Sequence, residues 1–142
     1  MVNFDNAATT FPKPITVQNA ALTAITKYGG NPGRSGHSLS LETAKAVYSA
    51  RNKCAEFFGA ETENVIFTLN CTHALNLAIK GIMAQGGHII TSNMEHNSVS
   101  RPIYALSKHN CKYDIAVVSN SDEETIANFE KLITIETKAI IC

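Results

Sequence analysis

Two short stretches carry residue types that do chemistry. The first is Phe67-Thr68-Leu69-Asn70-Cys71-Thr72-His73-Ala74-Leu75-Asn76-Leu77-Ala78-Ile79-Lys80-Gly81. Val65, Ile66 and Phe67 favour extended backbone, whereas Leu75, Ala78, Ile79 and Ile82 recur at helical spacing. Small polar residues, Asn70, Cys71 and Thr72, fall where strand gives way to helix. A helix start exposes N–H groups without internal partners and carries partial positive charge. Phosphate is the usual guest of such a site, and Thr72 adds a hydroxyl. The same spacing also fits an ordinary strand-to-helix turn capped by Thr72. The second stretch, Met94-Glu95-His96-Asn97-Ser98-Val99, follows the apolar run His88-Ile89-Ile90-Thr91. A histidine at the carboxyl end of a strand can stack on a ring or move a proton near neutral pH. A solvated loop histidine would have the same sequence.

The elements that must position these residues follow from periodicity and punctuation. Pro12 and Pro14 keep residues 3–14 extended. A helix is expected over 15–28, with Val17, Ala21, Ala24, Ile25 and Tyr28 on one face and Gly29-Gly30 as its stop. Asn31 to His37 is a Gly/Pro loop, in which Arg34 and His37 could reach an anion. The longest helical pattern runs over 40–58, with Ser40 as N-cap and Gly59 as stop. Its stripe of Leu41, Ala44, Val47, Tyr48, Cys54, Ala55 and Phe58 is core or partner surface. Strands are then expected at 64–68, 87–91, 113–118 and 138–142, and helices at 72–84, 98–109 and 122–133. Ser121 with Glu124 forms a capping box, and Pro102 is placed in the first turn of its helix. Such alternation predicts an α/β fold, a largely parallel sheet with helices on both faces.

Composition narrows the function classes. The chain has 142 residues, 44% of them hydrophobic and 17% charged, enough to bury a core. Lys plus Arg and Asp plus Glu number 12 each. That balance argues against a nucleic-acid surface or a basic membrane patch. No apolar run reaches the length of a membrane span. The N-terminus lacks a signal-peptide pattern, so a cytoplasmic location is expected. Cys54, Cys71, Cys111 and Cys142 form no CxxC pair, and the 5 histidines form no pair on one helix face, so no metal site is expected. Cys71 could be a reactive thiol at a helix start, or simply a small residue in the turn.

Four ordered motifs together carry a resemblance: Phe4-Asp5-Asn6-Ala7-Ala8-Thr9-Thr10, Asn31-Pro32-Gly33-Arg34-Ser35-Gly36-His37, the Thr68 to Lys80 turn, and Glu95-His96-Asn97-Ser98. In order and spacing they resemble the pyridoxal-phosphate enzymes of the class V aminotransferase group, in particular the cysteine desulfurase and selenocysteine lyase branch. The resemblance covers the whole chain and implies the fold type I of pyridoxal-phosphate-dependent transferases. Residues 1–38 would be an N-terminal arm, first helix and Gly/Pro loop, and residues 39–142 a truncated large cofactor-binding domain. Intact members are much longer, so the chain is expected to be the N-terminal part of such an enzyme.

The resemblance also implies roles. Pyridoxal 5'-phosphate would be the cofactor, its phosphate held by the backbone of Cys71 and Thr72 and the Thr72 hydroxyl. His96 would stack on the pyridine ring and shuttle a proton. Ala7, Ala8, Arg34 and His37 would neighbour the substrate, cysteine or selenocysteine. The reaction would take sulfur from L-cysteine, leaving alanine and an enzyme persulfide. The intact enzyme would be a homodimer, with no nucleic-acid or membrane partner. The Schiff-base lysine, the acidic partner of the pyridine nitrogen and the catalytic cysteine match no residue here, so the chain alone is expected to be inactive. Lys80 is read as a solvated helix residue. His73 departs from the family, which often has Glu there. Two alternatives share the sequence: an aminotransferase or other lyase of the same group, and a non-catalytic fragment.

Overall fold

Apolar β-branched residues bounded by glycine make the one strand with neighbours on both sides. It is β1 (Gly87–Ser92), flanked by β2 (Cys111–Ala116) and β3 (Thr137–Ile141) in a parallel sheet of order β2-β1-β3. A computed structural model describes residues 2–34 and 36–142 of the chain; Ser35 of the Gly/Pro loop motif lies outside them. The chain forms two compact units, Met1–Phe67 and Thr68–Cys142.

The second unit holds the sheet with α3 (Cys71–Ile82), α4 (Asn97–Ser107) and α5 (Asp122–Glu130). Parallel strands need crossover connections; α4 joins β1 to β2 and α5 joins β2 to β3, while α3 leads into β1. Ile79 and Met83 at the end of α3, with Val99 and Ile103 from α4, close over Ile89 and Cys111 in a buried cluster. Leu75, Leu106, Tyr113 and Ile141 pack around it. Ile90 is fully buried on the opposite face, where α5 lines an apolar cleft with Ile140, the register partner of Ile90. Helices thus cover both faces, as alternation predicts.

Two details of this unit depend on single residues. Thr137 pairs with His88 and Ala139 with Ile89, so Lys138 is an extra residue in β3. Its side chain lies where a Cβ on Gly87 would be, 2.9 Å away, and Gly87 has φ +127; only glycine suits both constraints. His88 is buried, and its imidazole joins all three strands. Nδ1 lies 2.9 Å from Thr137 Oγ1 and Nε2 3.2 Å from Asp114 Oδ2. A buried imidazole left without partners would cost the desolvation of both nitrogens.

The first unit contains α1 (Ile15–Lys27), α2 (Ser38–Phe58) and a 3₁₀ turn at Thr62–Asn64. Thr62 Oγ1 donates to Asn52 Oδ1 at 2.8 Å and pins that turn to α2. Gly59 ends α2 in the left-handed region, φ 64. The start of α2 differs from expectation. His37, not Ser40, is the N-cap, and Ser40 is buried in the first turn. The preceding loop presses on this start: a Cβ on Gly30 would sit 2.4 Å from Ser40 N. α1 buries no residue, so its expected apolar face is uncovered among the described residues.

The strand expected at 64–68 does not form. Val65 is extended, φ -92 and ψ 121, but residues 65–67 have no ladder among the described residues, and Ile66 is 77% exposed. β-favouring residues set the backbone conformation, whereas a strand also needs a neighbour to take its hydrogen bonds. Pro102 is a second correction. It lies inside α4, past the first turn, so no N–H at that position reaches the Ser98 carbonyl.

Candidate functional site

The turn into α3 is built by Thr68 and Asn70. Thr68 Oγ1 donates to the Asn70 carbonyl at 3.0 Å, and Asn70 Oδ1 accepts the His73 N–H at 2.9 Å. Asn70 is therefore the N-cap, and Thr72 is the second residue of the first turn rather than the cap. The capping bond satisfies His73, and Ala74 N–H reaches the Asn70 carbonyl. The N–H groups of Cys71 and Thr72 and the Thr72 hydroxyl have no protein acceptor among the described residues. Three donors thus converge at the positive end of α3, where an anion is favoured.

His96 enters from the next crossover. Asn93 N–H donates to the Ala116 carbonyl, and Asn93 Oδ1 accepts from Val118 N–H, tying the turn to the end of β2. Ser92 Oγ donates to Glu95 Oε1 at 2.7 Å and accepts from Met94 N–H. His96 follows as the N-cap of α4, its Nδ1 accepting the Ser98 N–H at 3.1 Å.

Thr72 and His96 line one cleft of about 400 Å³, together with Asn76, Lys80, Asn97, Ser98, Arg101, Pro102 and Ala105. The lining has two basic side chains, Lys80 and Arg101, and no carboxylate, so it suits an anionic guest. Lys80 is exposed, as the sequence reading holds, yet it lines this cleft. Asn76 and Arg101 were not singled out in the sequence. A signal existed: Thr72, Asn76 and Lys80 are four residues apart and share one helix face. Cys71 is exposed at the head of α3 and is not among the residues that line the cleft.

The other candidates lie in the first unit. Arg34 and His37 line a cleft of about 480 Å³ with Pro32, Gly33, Gly36, Ser38, Ser40, Leu41 and Ala44. His37 has both ring nitrogens engaged: Nδ1 accepts the Ser40 N–H at 3.3 Å, and Nε2 lies 2.9 Å from Ser40 Oγ. Ala7 and Ala8 are exposed in a turn closed by Ala8 N–H on the Asp5 carbonyl, and neither lines that cleft. Among the described residues, no three His, Cys, Asp or Glu side chains gather as a metal site, and no helix is long and apolar enough to cross a membrane.

Comparison with known proteins yields one consistent group. The family profile described as Aminotransferase class-V matches residues 2–142. The chain is 42% identical over 104 residues to the mitosomal cysteine desulfurase of Trachipleistophora hominis, covering 69% of this chain and 23% of that protein. It is 32% identical over 139 residues to the mitochondrial cysteine desulfurase of Drosophila melanogaster, covering 95% of this chain and 30% of that protein. The apo structure of a cysteine desulfurase from Thermococcus onnurineus NA1 superposes with a TM-score of 0.84 at 29% identity, covering 97% of this chain and 35% of that one. The chain therefore spans about a quarter to a third of the length of these relatives.

Proposed function

The chain belongs to the class-V aminotransferase family, and from that membership we propose that it is the N-terminal part of a pyridoxal-phosphate-dependent cysteine desulfurase. Residues 1–38 would be its arm, first helix and loop, and residues 39–142 the first part of its large domain. The observation that carries the reading is the single cleft shared by Thr72 and His96. The relatives named cysteine desulfurase favour this reaction over transamination.

The residues present fit the cofactor. A phosphate needs converging donors and positive potential. Cys71 N–H, Thr72 N–H, the Thr72 hydroxyl and the nearby Lys80 and Arg101 supply both. When bound, pyridoxal phosphate supplies the electron sink for bond breaking at the α-carbon of an amino acid. The chain's own part is grip and orientation. The start of α3 holds the phosphate, and His96 presents a flat ring beside it. Arg34 would meet the carboxylate of cysteine or selenocysteine through a bidentate pair, with Ala7, Ala8 and His37 as substrate neighbours. The whole enzyme would act as a cytoplasmic homodimer, leaving alanine and an enzyme persulfide.

The test separates phosphate grip from ring contact. Equilibrium dialysis of the 142-residue chain should show pyridoxal phosphate binding weakly and pyridoxal, which lacks the phosphate, binding less still. Thr72→Val should weaken the phosphate form several-fold. Equal binding of the two forms, unchanged by Thr72→Val, would refute the assignment. Alanine release from L-cysteine by this chain alone should be absent, since none of its lysines or cysteines occupies a position matching the family's reactive ones.

A further inference from the structure

We infer that His96 meets the occupant of the cleft as an N–H donor through Nε2, because Ser98 commits its other nitrogen to capping α4. Helix caps are ordinarily Ser, Thr, Asp or Asn, whose oxygen accepts an N–H of the first turn. Here an imidazole does that work. The Ser98 N–H lies 3.1 Å from His96 Nδ1, and the Ser98 hydroxyl lies 2.9 Å from the same atom. An amide N–H only donates, so Nδ1 offers its lone pair and carries no proton. The proton of the neutral ring is then on Nε2. That nitrogen has no protein partner among the described residues, and the ring lines the cleft with Thr72.

The consequence is a division of labour within one ring. Nε2–H can donate to an acceptor in the cleft, but it has no lone pair with which to act as a base. A proton can be taken up only at Nδ1, and it would displace the Ser98 N–H and break that cap of α4. His96 thus meets the cleft as a hydrogen-bond donor, and protonation of its ring is coupled to loss of the bond from the Ser98 amide. Ser98 is a positioning residue that acts through His96. His37 makes the contrast, since both of its nitrogens are engaged by Ser40. The His-x-Ser spacing of 96 and 98 frees the nitrogen that the His37 arrangement uses up. What Nε2 meets rests on the reading of the cleft as the cofactor grip; the tautomer does not.

The test is nuclear magnetic resonance on the cofactor-free 142-residue chain, labelled with nitrogen-15. Long-range proton–nitrogen correlations should show His96 as the Nε2–H tautomer, with a coupling across the hydrogen bond between the Ser98 amide and Nδ1. Ser98→Ala keeps the amide N–H and should leave the ring mainly as Nε2–H, whereas Ser98→Pro removes that donor and should raise the Nδ1–H share. A wild-type ring found mainly as Nδ1–H, or a Ser98 amide without the coupling, would overturn the inference. The wild-type spectrum decides this even if Ser98→Pro does not fold. Adding pyridoxal phosphate should then move the Nε2–H resonance. An unmoved resonance with the tautomer intact would overturn the cofactor reading, leaving the Ser98 cap standing.

Discussion

His96 and Asn70 do the same local work with different side chains. Each accepts an N–H of the helix that follows it, Asn70 at 2.9 Å from His73 and His96 at 3.1 Å from Ser98. Asparagine is among the best caps. Histidine is a less usual cap, and its ring has a second nitrogen to offer. This predicts a separation of stability from chemistry. His96→Ala should destabilise the second unit by about 1 kcal/mol, the usual value of a lost cap. His96→Asn should restore most of that by supplying an amide oxygen in the same place, while removing the ring from the cleft. Urea denaturation of the two variants checks this, and equal losses would show that the ring packs rather than caps.

At the scale of elements, the sheet is held at its lower end by polar groups that periodicity does not reveal. His88 ties β1 to both neighbours, and Lys112 of β2 reaches Glu136, just ahead of β3, at 2.9 Å. The Glu136 carboxyl is held below its ordinary value of 4.5, first by the hydrogen bond from Lys112 and then by the charge of the same ammonium. A depressed carboxyl favours the folded state at neutral pH, and that contribution is lost as pH falls below 4.5 through the folded value. Both side chains are exposed, so the effect on stability is small. The titration itself is the sharper measurement. Lys112→Met should return Glu136 to the ordinary carboxylate range in a carbon-13 titration. An unchanged midpoint would show that the bridge does not form in solution.

For the whole molecule, the feature with consequences is apolar surface. Ile25 of α1 is 82% exposed and Phe58 of α2 is 77% exposed. In the second unit Ile115, Val117, Ile126 and Ile140 are exposed, and among the described residues β2 and β3 each pair only with β1. Contiguous apolar surface and open strand edges promote association. The 142-residue chain is expected to self-associate at micromolar concentration, with sedimentation coefficients rising with loading. A single monomeric species over a hundred-fold concentration range would contradict this.

Much of this was legible in the sequence because it depends on near neighbours in the chain. Gly59, Ser121 and the helical spacing of Leu75, Ile79 and Ile82 act through residues three or four positions away, and α2, α3 and α5 lie close to where periodicity puts them. The order of the four motifs was enough to reach the family, since motif residues need no coordinates to be compared. Tertiary structure decided the rest. Val65 to Phe67 have strand-forming side chains, but a ladder needs a second extended segment, and none pairs with them among the described residues. Capping depends on where an imidazole points, so His37 displaced Ser40 as the cap of α2, and an imidazole, His96, caps α4. The cleft joins Thr72 and Lys80 on α3 with His96 and Arg101 on α4. That meeting is set by how two helices pack over Ile89, a contact between residues far apart in the chain that one-dimensional spacing cannot express.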